Sequence, residues 1–123
     1  MKEVVKFWEV ISGAEFDELL NLLAEDCEII FPNTNEIFIS PQKYVEFNKA
    51  YPGRWYATVK DIMVEKNRAI SITLVESNEN SFYCTSVFEF SKDKISRIYE
   101  YWGDNGSVPS WRTGKGFTKK WLR

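Results

Sequence analysis

A chain of 123 residues, 44% hydrophobic and 16% aromatic, has enough apolar material for one cored domain, which excludes intrinsic disorder. Its net charge of −2 gives no general attraction to nucleic acid or to an anionic membrane, and no apolar run approaches the roughly 20 residues that span a bilayer. With no histidine, Ser-His-Asp and Cys-His catalysis and any His-ligated zinc are excluded, so acid-base work would fall to carboxylates, tyrosine, lysine or cysteine.

The start, Met1-Lys2-Glu3, carries an acid and lacks the pattern of a secretory signal, so a soluble cytoplasmic protein is expected. Val4, Val5, Phe7, Trp8 and Ile11 recur at helical spacing, which predicts a helix over about 2–12 with Gly13 as its stop. Phe16, Leu19, Leu20 and Leu23 form a second apolar stripe, with Glu15, Asp17 and Glu18 at the positive end of its dipole; the two helices are expected to pack as a hairpin. Cys27–Phe31 reads as a buried strand end closed by Pro32, and Asn33-Thr34-Asn35 as a loop. Ser40-Pro41 is a helix N-cap followed by proline at the first helical position; this third, short helix carries Tyr44, Val45 and Phe47 and ends at Tyr51-Pro52-Gly53.

From Trp55 the texture becomes β. Segments near 55–65, 69–77, 81–90 and 94–102 are rich in Val, Ile, Thr, Phe and Tyr and are joined by short polar turns, which predicts a four-stranded antiparallel meander. Helices first and a sheet afterwards is an α+β layout. Alternation groups Ile70, Ile72 and Leu74 against Ser71 and Thr73, and Cys84, Ser86, Phe88 and Phe90 against Tyr83, Thr85, Val87 and Glu89. The second face is only partly polar; it either pairs with another subunit or carries scattered apolar residues into water. In the last strand Ile98, Glu100 and Trp102 share a face, so one carboxylate is flanked by two bulky apolar side chains.

The order helix-helix-strand-helix-meander, ending in Ile95-x-x-Ile98-x-Glu100-Tyr101-Trp102, resembles the SnoaL-like and nuclear transport factor 2-like superfamily. Ala24-Glu25-Asp26-Cys27, Tyr51-Pro52-Gly53-Arg54-Trp55 and Phe88-Glu89-Phe90 add to the match. The resemblance implies a cone: a curved antiparallel sheet wrapped over the helical hairpin and the third helix, with a pocket open at one end and homodimers formed through the outer sheet face. It also implies that Ile98, Glu100 and Trp102 face inward. In ketosteroid isomerase, a catalytic relative, the general base, the oxyanion tyrosine and the second acid would fall at Phe31, near Phe7 and near Ser86, so all three roles are vacant here. Limonene-epoxide-hydrolase-like members need an Arg and two Asp where this chain offers Glu100 with Cys84 and Ser86; the SnoaL cyclases and scytalone-dehydratase-like members lean on histidine. No catalytic set of these relatives is matched, and fold alone does not license function.

Residues 1–112 are thus expected to form one domain and 113–123 a basic, flexible tail carrying Lys115, Lys119, Lys120 and Arg123. Glu100 is the tentative catalytic residue: in an apolar cone its pKa would rise to about 6–7, useful to a general acid or base. The alternative is a structural carboxylate held by a backbone amide, a tyrosine or an arginine. Trp8, Phe31, Trp55, Cys84, Ser86, Phe88, Ile98 and Trp102 are the expected ligand-binding set; core packing alone would also explain such a set, above all Phe88, whereas the large rings of Trp55 and Trp102 beside a carboxylate suit an apolar ligand with one polar handle. Tyr44 and Tyr56 are candidate hydrogen-bond donors, and Asp104 and Arg112 candidate rim residues. Residues 109–112 are expected to fold back on the body through Trp111, with Arg112 paired to Glu100 or Asp104 or facing water. Cys27 and Cys84 read as structural thiols. The expected partner is a small apolar or aromatic molecule bound without cofactor or metal, with no nucleic acid and no membrane. A cofactor-free isomerase, dehydratase or cyclase using Glu100 is the alternative.

Overall fold

The computed structural model describes residues 1–122. Helix α1 (Lys2–Ser12) buries Val4, Phe7, Trp8 and Val10, while Val5, counted in the apolar stripe, faces outward. The helix stops at Gly13, whose N–H bonds to the Glu9 carbonyl at 2.8 Å. Gly13 itself stays right-handed, and the left-handed position falls on Ala14.

The second helix of the expected hairpin is much reduced. A 3-10 turn (Phe16–Glu18) runs into a single turn, α2 (Leu19–Leu22), and strand β1 (Leu23–Phe31) then begins at Leu23 rather than Cys27. Tertiary pairing overrides the local periodicity: Leu23 is in register with Ile95, and burial of Leu19 and Leu23 satisfies both elements. After a 3-10 turn at Pro32–Thr34, Asn35 takes a left-handed conformation and a two-residue strand β2 (Glu36–Ile37) pairs back on β1 where only loop was expected. Helix α3 (Pro41–Ala50) opens as the sequence predicts, with the Lys43 N–H donating to Ser40 Oγ at 3.2 Å.

The meander follows as β3 (Tyr56–Glu65), β4 (Arg68–Glu76), β5 (Ser81–Ser91) and β6 (Lys94–Asp104), each antiparallel to the next. The full sheet has six strands in the order β2-β1-β6-β5-β4-β3. Because β1 runs parallel to β6, the expected antiparallel sheet is mixed. The sheet curves without closing and α1 and α3 lie in its concavity, which makes the α+β cone.

Sheet parity sets what lines that cone. The concave face carries Ala69, Ser71, Thr73 and Val75 from β4, Cys84, Ser86, Phe88 and Phe90 from β5, and Ile98, Glu100 and Trp102 from β6. Ile70, Ile72 and Leu74 share a face as predicted, and it is the convex one. The small side chains of β4 lie under the bulk of α1: Trp8 Nε1 donates to Ser71 Oγ at 3.1 Å. Phe7 sits centrally, edge-on to Trp8 and Phe88 with ring centroids 5.1 and 5.3 Å away.

Beyond β6 the chain does not return to the body as expected. Trp111 is 67% exposed, and every residue from Gly106 to Leu122 is exposed. Arg112 lies over the Trp111 ring at 5.6 Å and forms no ion pair with Glu100 or Asp104 among the described residues. Arg123, part of the expected basic tail, lies outside the described residues. No helix of the described residues is long and apolar enough to cross a membrane.

Candidate functional site

Parity delivers Glu100 to the interior. Its residue pair on β5 is Ser86, its neighbours on the same face of β6 are Ile98 and Trp102, and it is 1% exposed. From the opposite wall, α3 brings Tyr44, whose hydroxyl donates to Glu100 Oε2 at 2.7 Å. The other oxygen, Oε1, is buried without a hydrogen-bond partner. Burial in this apolar surrounding raises the Glu100 pKa to about 7, against the smaller opposing effect of the Tyr44 hydrogen bond. The Tyr44 hydroxyl is pushed well above its ordinary value, by burial first and by the neighbouring carboxylate second.

Glu100 and Tyr44 open on a cavity of about 230 Å³. Six aromatic rings on its wall form a closed circuit of contacts. Phe31 meets Trp102 at 5.9 Å between centroids, Trp102 meets Phe82 at 4.8 Å, and Phe82 meets Trp55 at 5.0 Å. Trp55 meets Tyr51 at 5.8 Å, and Phe47 closes the circuit at 5.6 Å to both Tyr51 and Phe31. Local sequence holds two of these rings in place. Gly53 has φ 90°, which lets the chain turn so that Trp55 Nε1 donates to the Pro52 carbonyl at 2.8 Å; a β-carbon on Gly53 would lie 3.2 Å from that same nitrogen. The Trp102 N–H donates to Asn33 Oδ1 at 2.9 Å, which ties the end of β6 to the Pro32–Thr34 turn.

The expected site residues divide. Trp8, Phe31, Trp55, Glu100 and Trp102 come together on the cavity wall with Tyr44. Cys84, Ser86, Phe88 and Ile98 are buried on the concave face but do not line the cavity. Cys84 Sγ lies 3.2 Å from Ser86 Oγ, and burial pushes its thiol far up, as it pushes Cys27 up to about 12; neither is a nucleophile in this state. Asp104 is exposed at the end of β6 and Arg112 is exposed beyond it; neither lines the cavity. Tyr56 is 53% exposed on the convex side beneath the Arg54 guanidinium, so of the two tyrosines only Tyr44 serves the interior.

Sequence reasoning missed Phe47, Tyr51 and Phe82 as wall residues. Phe82 shares parity with Cys84 and Ser86, and that signal was present in the strand. It also missed Thr73, whose buried Oγ1 is unpartnered, as is Trp102 Nε1. Among the described residues no group of histidine, cysteine, aspartate or glutamate is placed to hold a metal.

A curved α+β cone with one acid in an aromatic-walled cavity defines a class of small pocket-bearing domains. The chain belongs to the SnoaL-like domain family, whose profile it matches over residues 4–98. No curated protein sequence matches it. Among solved structures it is similar to a candidate ketosteroid isomerase from Kribbella flavida, with TM-score 0.83 and 22% identity over 99% of this chain and 88% of that one. It is also similar to a nuclear transport factor 2-like protein of unknown function from Burkholderia xenovorans, with TM-score 0.81 and 20% identity over 98% and 94%. A SnoaL-like protein from Jannaschia, named as a candidate polyketide cyclase, aligns with TM-score 0.70 and 12% identity over 82% and 83%. At these identities the likeness is one of fold.

Proposed function

We propose that this protein binds a small apolar or aromatic molecule with a polar handle in the cone, with Glu100 meeting the handle. One observation carries the reading: a carboxylate 1% exposed, inside an aromatic-walled cavity, keeps one oxygen without a partner. A buried acid in that state costs stability, and a ligand that completes its hydrogen bonds recovers the cost. A thermal-shift screen of small aromatic molecules tests this. Ligands that bind the folded state raise the melting temperature of the native protein, and Trp102→Ala reduces the shift. A screen in which no aromatic molecule raises the melting temperature counts against the reading.

A second reading is favoured by the Glu100 pKa of about 7, the range in which a carboxyl group both gives and takes protons at neutral pH. On it, the protein is a cofactor-free isomerase, dehydratase or cyclase with Glu100 as general acid or base. Glu100→Gln then abolishes turnover and leaves ligand affinity within a few-fold; unchanged turnover removes Glu100 from the chemistry.

We further propose a cytoplasmic homodimer formed through the convex sheet face. Ile70 and Ile72 are only half-buried there, and Met63 and Tyr101 are exposed beside them. Sedimentation of the native chain against Ile72→Lys checks the dimer, which the substitution should dissociate.

A further inference from the structure

Among the described residues, three buried side-chain oxygen and nitrogen atoms lack hydrogen-bond partners: Thr73 Oγ1, Glu100 Oε1 and Trp102 Nε1. They are not scattered. Thr73 is in register with Cys84, and Cys84 with Trp102, so these three residues form one row across the concave face. Glu100 stands in the next row, opposite Ser86. Opposed residues on neighbouring strands lie about 5 Å apart and same-face residues on one strand about 7 Å apart. Of the three residues with an unpartnered atom, Glu100 and Trp102 line the cavity, two positions apart on one face of β6, whereas Thr73, like Cys84, lies off its wall. A folded chain leaves few such groups bare, and two on neighbouring residues of one cavity wall mark where a polar partner sits: ordered water in the empty protein, or the ligand group that displaces it.

The chemistry of the orphans specifies that group. The Trp102 indole N–H only donates, so the ligand must present an acceptor there. Glu100 Oε1, when ionised, only accepts, so the ligand must present an O–H or N–H beside that acceptor. A ligand carboxylate would stand against the Glu100 carboxylate, and the two cations of the lining are engaged elsewhere, Lys49 with Asp17 and Arg54 with the Trp55 carbonyl, each at 2.7 Å. An ammonium would suit Glu100 but would leave the indole N–H unanswered. Size narrows the choice, since about 230 Å³ falls below the range of about 300–1,000 Å³ usual for drug-sized ligands.

Resting on the pocket reading, we propose that the ligand is an uncharged molecule of one or two rings whose polar end pairs a carbonyl-type acceptor, held by Trp102 Nε1, with an adjacent O–H or N–H donor, held by Glu100 Oε1.

Calorimetric titration of the full chain at pH 8 with five probes tests it. These are carbostyril (a bicyclic lactam with adjacent C=O and N–H), tetralone (the acceptor alone), tetralin (neither), naphthoate and naphthylmethylammonium. Carbostyril should bind about tenfold or more tighter than tetralin, with tetralone between them and both ions weakest. Trp102→Phe should bring tetralone down to tetralin, whereas Thr73→Val, a near-isosteric change off the cavity wall, should leave all five affinities as they are. Equal affinity for tetralone and tetralin in the unaltered protein overturns the handle while leaving the pocket standing. Tighter binding of either ion overturns it too. Failure of all five to bind overturns the handle and the pocket reading together.

Discussion

Two charged side chains of strand β6, Arg97 and Glu100, stand three positions apart, and their surroundings are opposite. Arg97, on the convex face, bonds to Glu28 at 2.6 Å and to Glu89 at 3.1 Å, and Glu89 also reaches Arg68 at 3.9 Å. This ladder borders an open depression of about 1070 Å³ whose lining mixes Glu25, Asp26, Glu28 and Glu89 with Lys92, Lys94 and Arg97. Glu100, on the concave face, has a single tyrosine hydroxyl and no cation, beside a cavity of about 230 Å³. In the larger hollow Arg97, Glu28 and Glu89 already answer one another at a partly exposed surface. The smaller one has Lys49 and Arg54 in its lining, but Lys49 pairs with Asp17 and Arg54 with the Trp55 carbonyl, and Glu100 forms no ion pair among the described residues. Unmet need, rather than volume or number of ionisable groups, separates the candidate site from ordinary surface.

The largest expected effect breaks the contrast by removing the lone acid. Folded Glu100 titrates near 7 against an ordinary value of 4.5, so the folded chain holds a proton that the unfolded chain releases across that window. Its contribution to stability is fully present below pH 4.5 and is lost as the pH rises to about 7, a swing of about 3 kcal/mol. Urea denaturation of Glu100→Gln at a series of pH values should lack this slope, leaving the variant more stable than the native chain at pH 8. Tyr44→Phe comes next. It removes the one hydrogen bond to the carboxylate, drives the Glu100 pKa further up, and should cost about 1.5–3 kcal/mol at pH 8 and clearly less at pH 5. Thr73→Val acts in the other direction: loss of an unanswered buried hydroxyl should stabilise the ligand-free protein by up to about 1 kcal/mol in the same assay. Arg97→Ala should have the smallest effect, and added salt should erase what difference remains, because its partners are half-exposed. A loss there that resists salt, or a Tyr44→Phe cost independent of pH, would collapse the distinction between the two faces.

The same contrast explains what was legible in the sequence. The meander was readable because each of its turns is local and each strand alternates; from that parity alone Ile98, Glu100 and Trp102 fall together, and the structure places them so. The parallel pairing of β1 with β6 was not readable. It joins Ile29 to Ile98 across most of the chain, and no short turn announces it. The second helix was over-read for the same reason, since Leu23 fits a helical stripe as well as a strand paired with Ile95. At the site, the aromatic wall was half legible: Trp55 and Trp102 announce themselves by size, while the circuit through Phe47, Tyr51 and Phe82 depends on how α3 and the following turn close over the sheet. Trp111 was expected to anchor its segment, and hydrophobicity alone cannot show that no groove receives it.

The central claim is that Glu100 is a solitary buried acid on an aromatic-walled cavity. Carbon-13 NMR of the glutamate side-chain carboxyls through a pH titration tests it directly, with Glu100→Gln identifying the resonance. The account predicts a midpoint near 7 for Glu100. A midpoint near the ordinary 4.5 would contradict it, because only a carboxylate with access to water or to an unseen cation would titrate there.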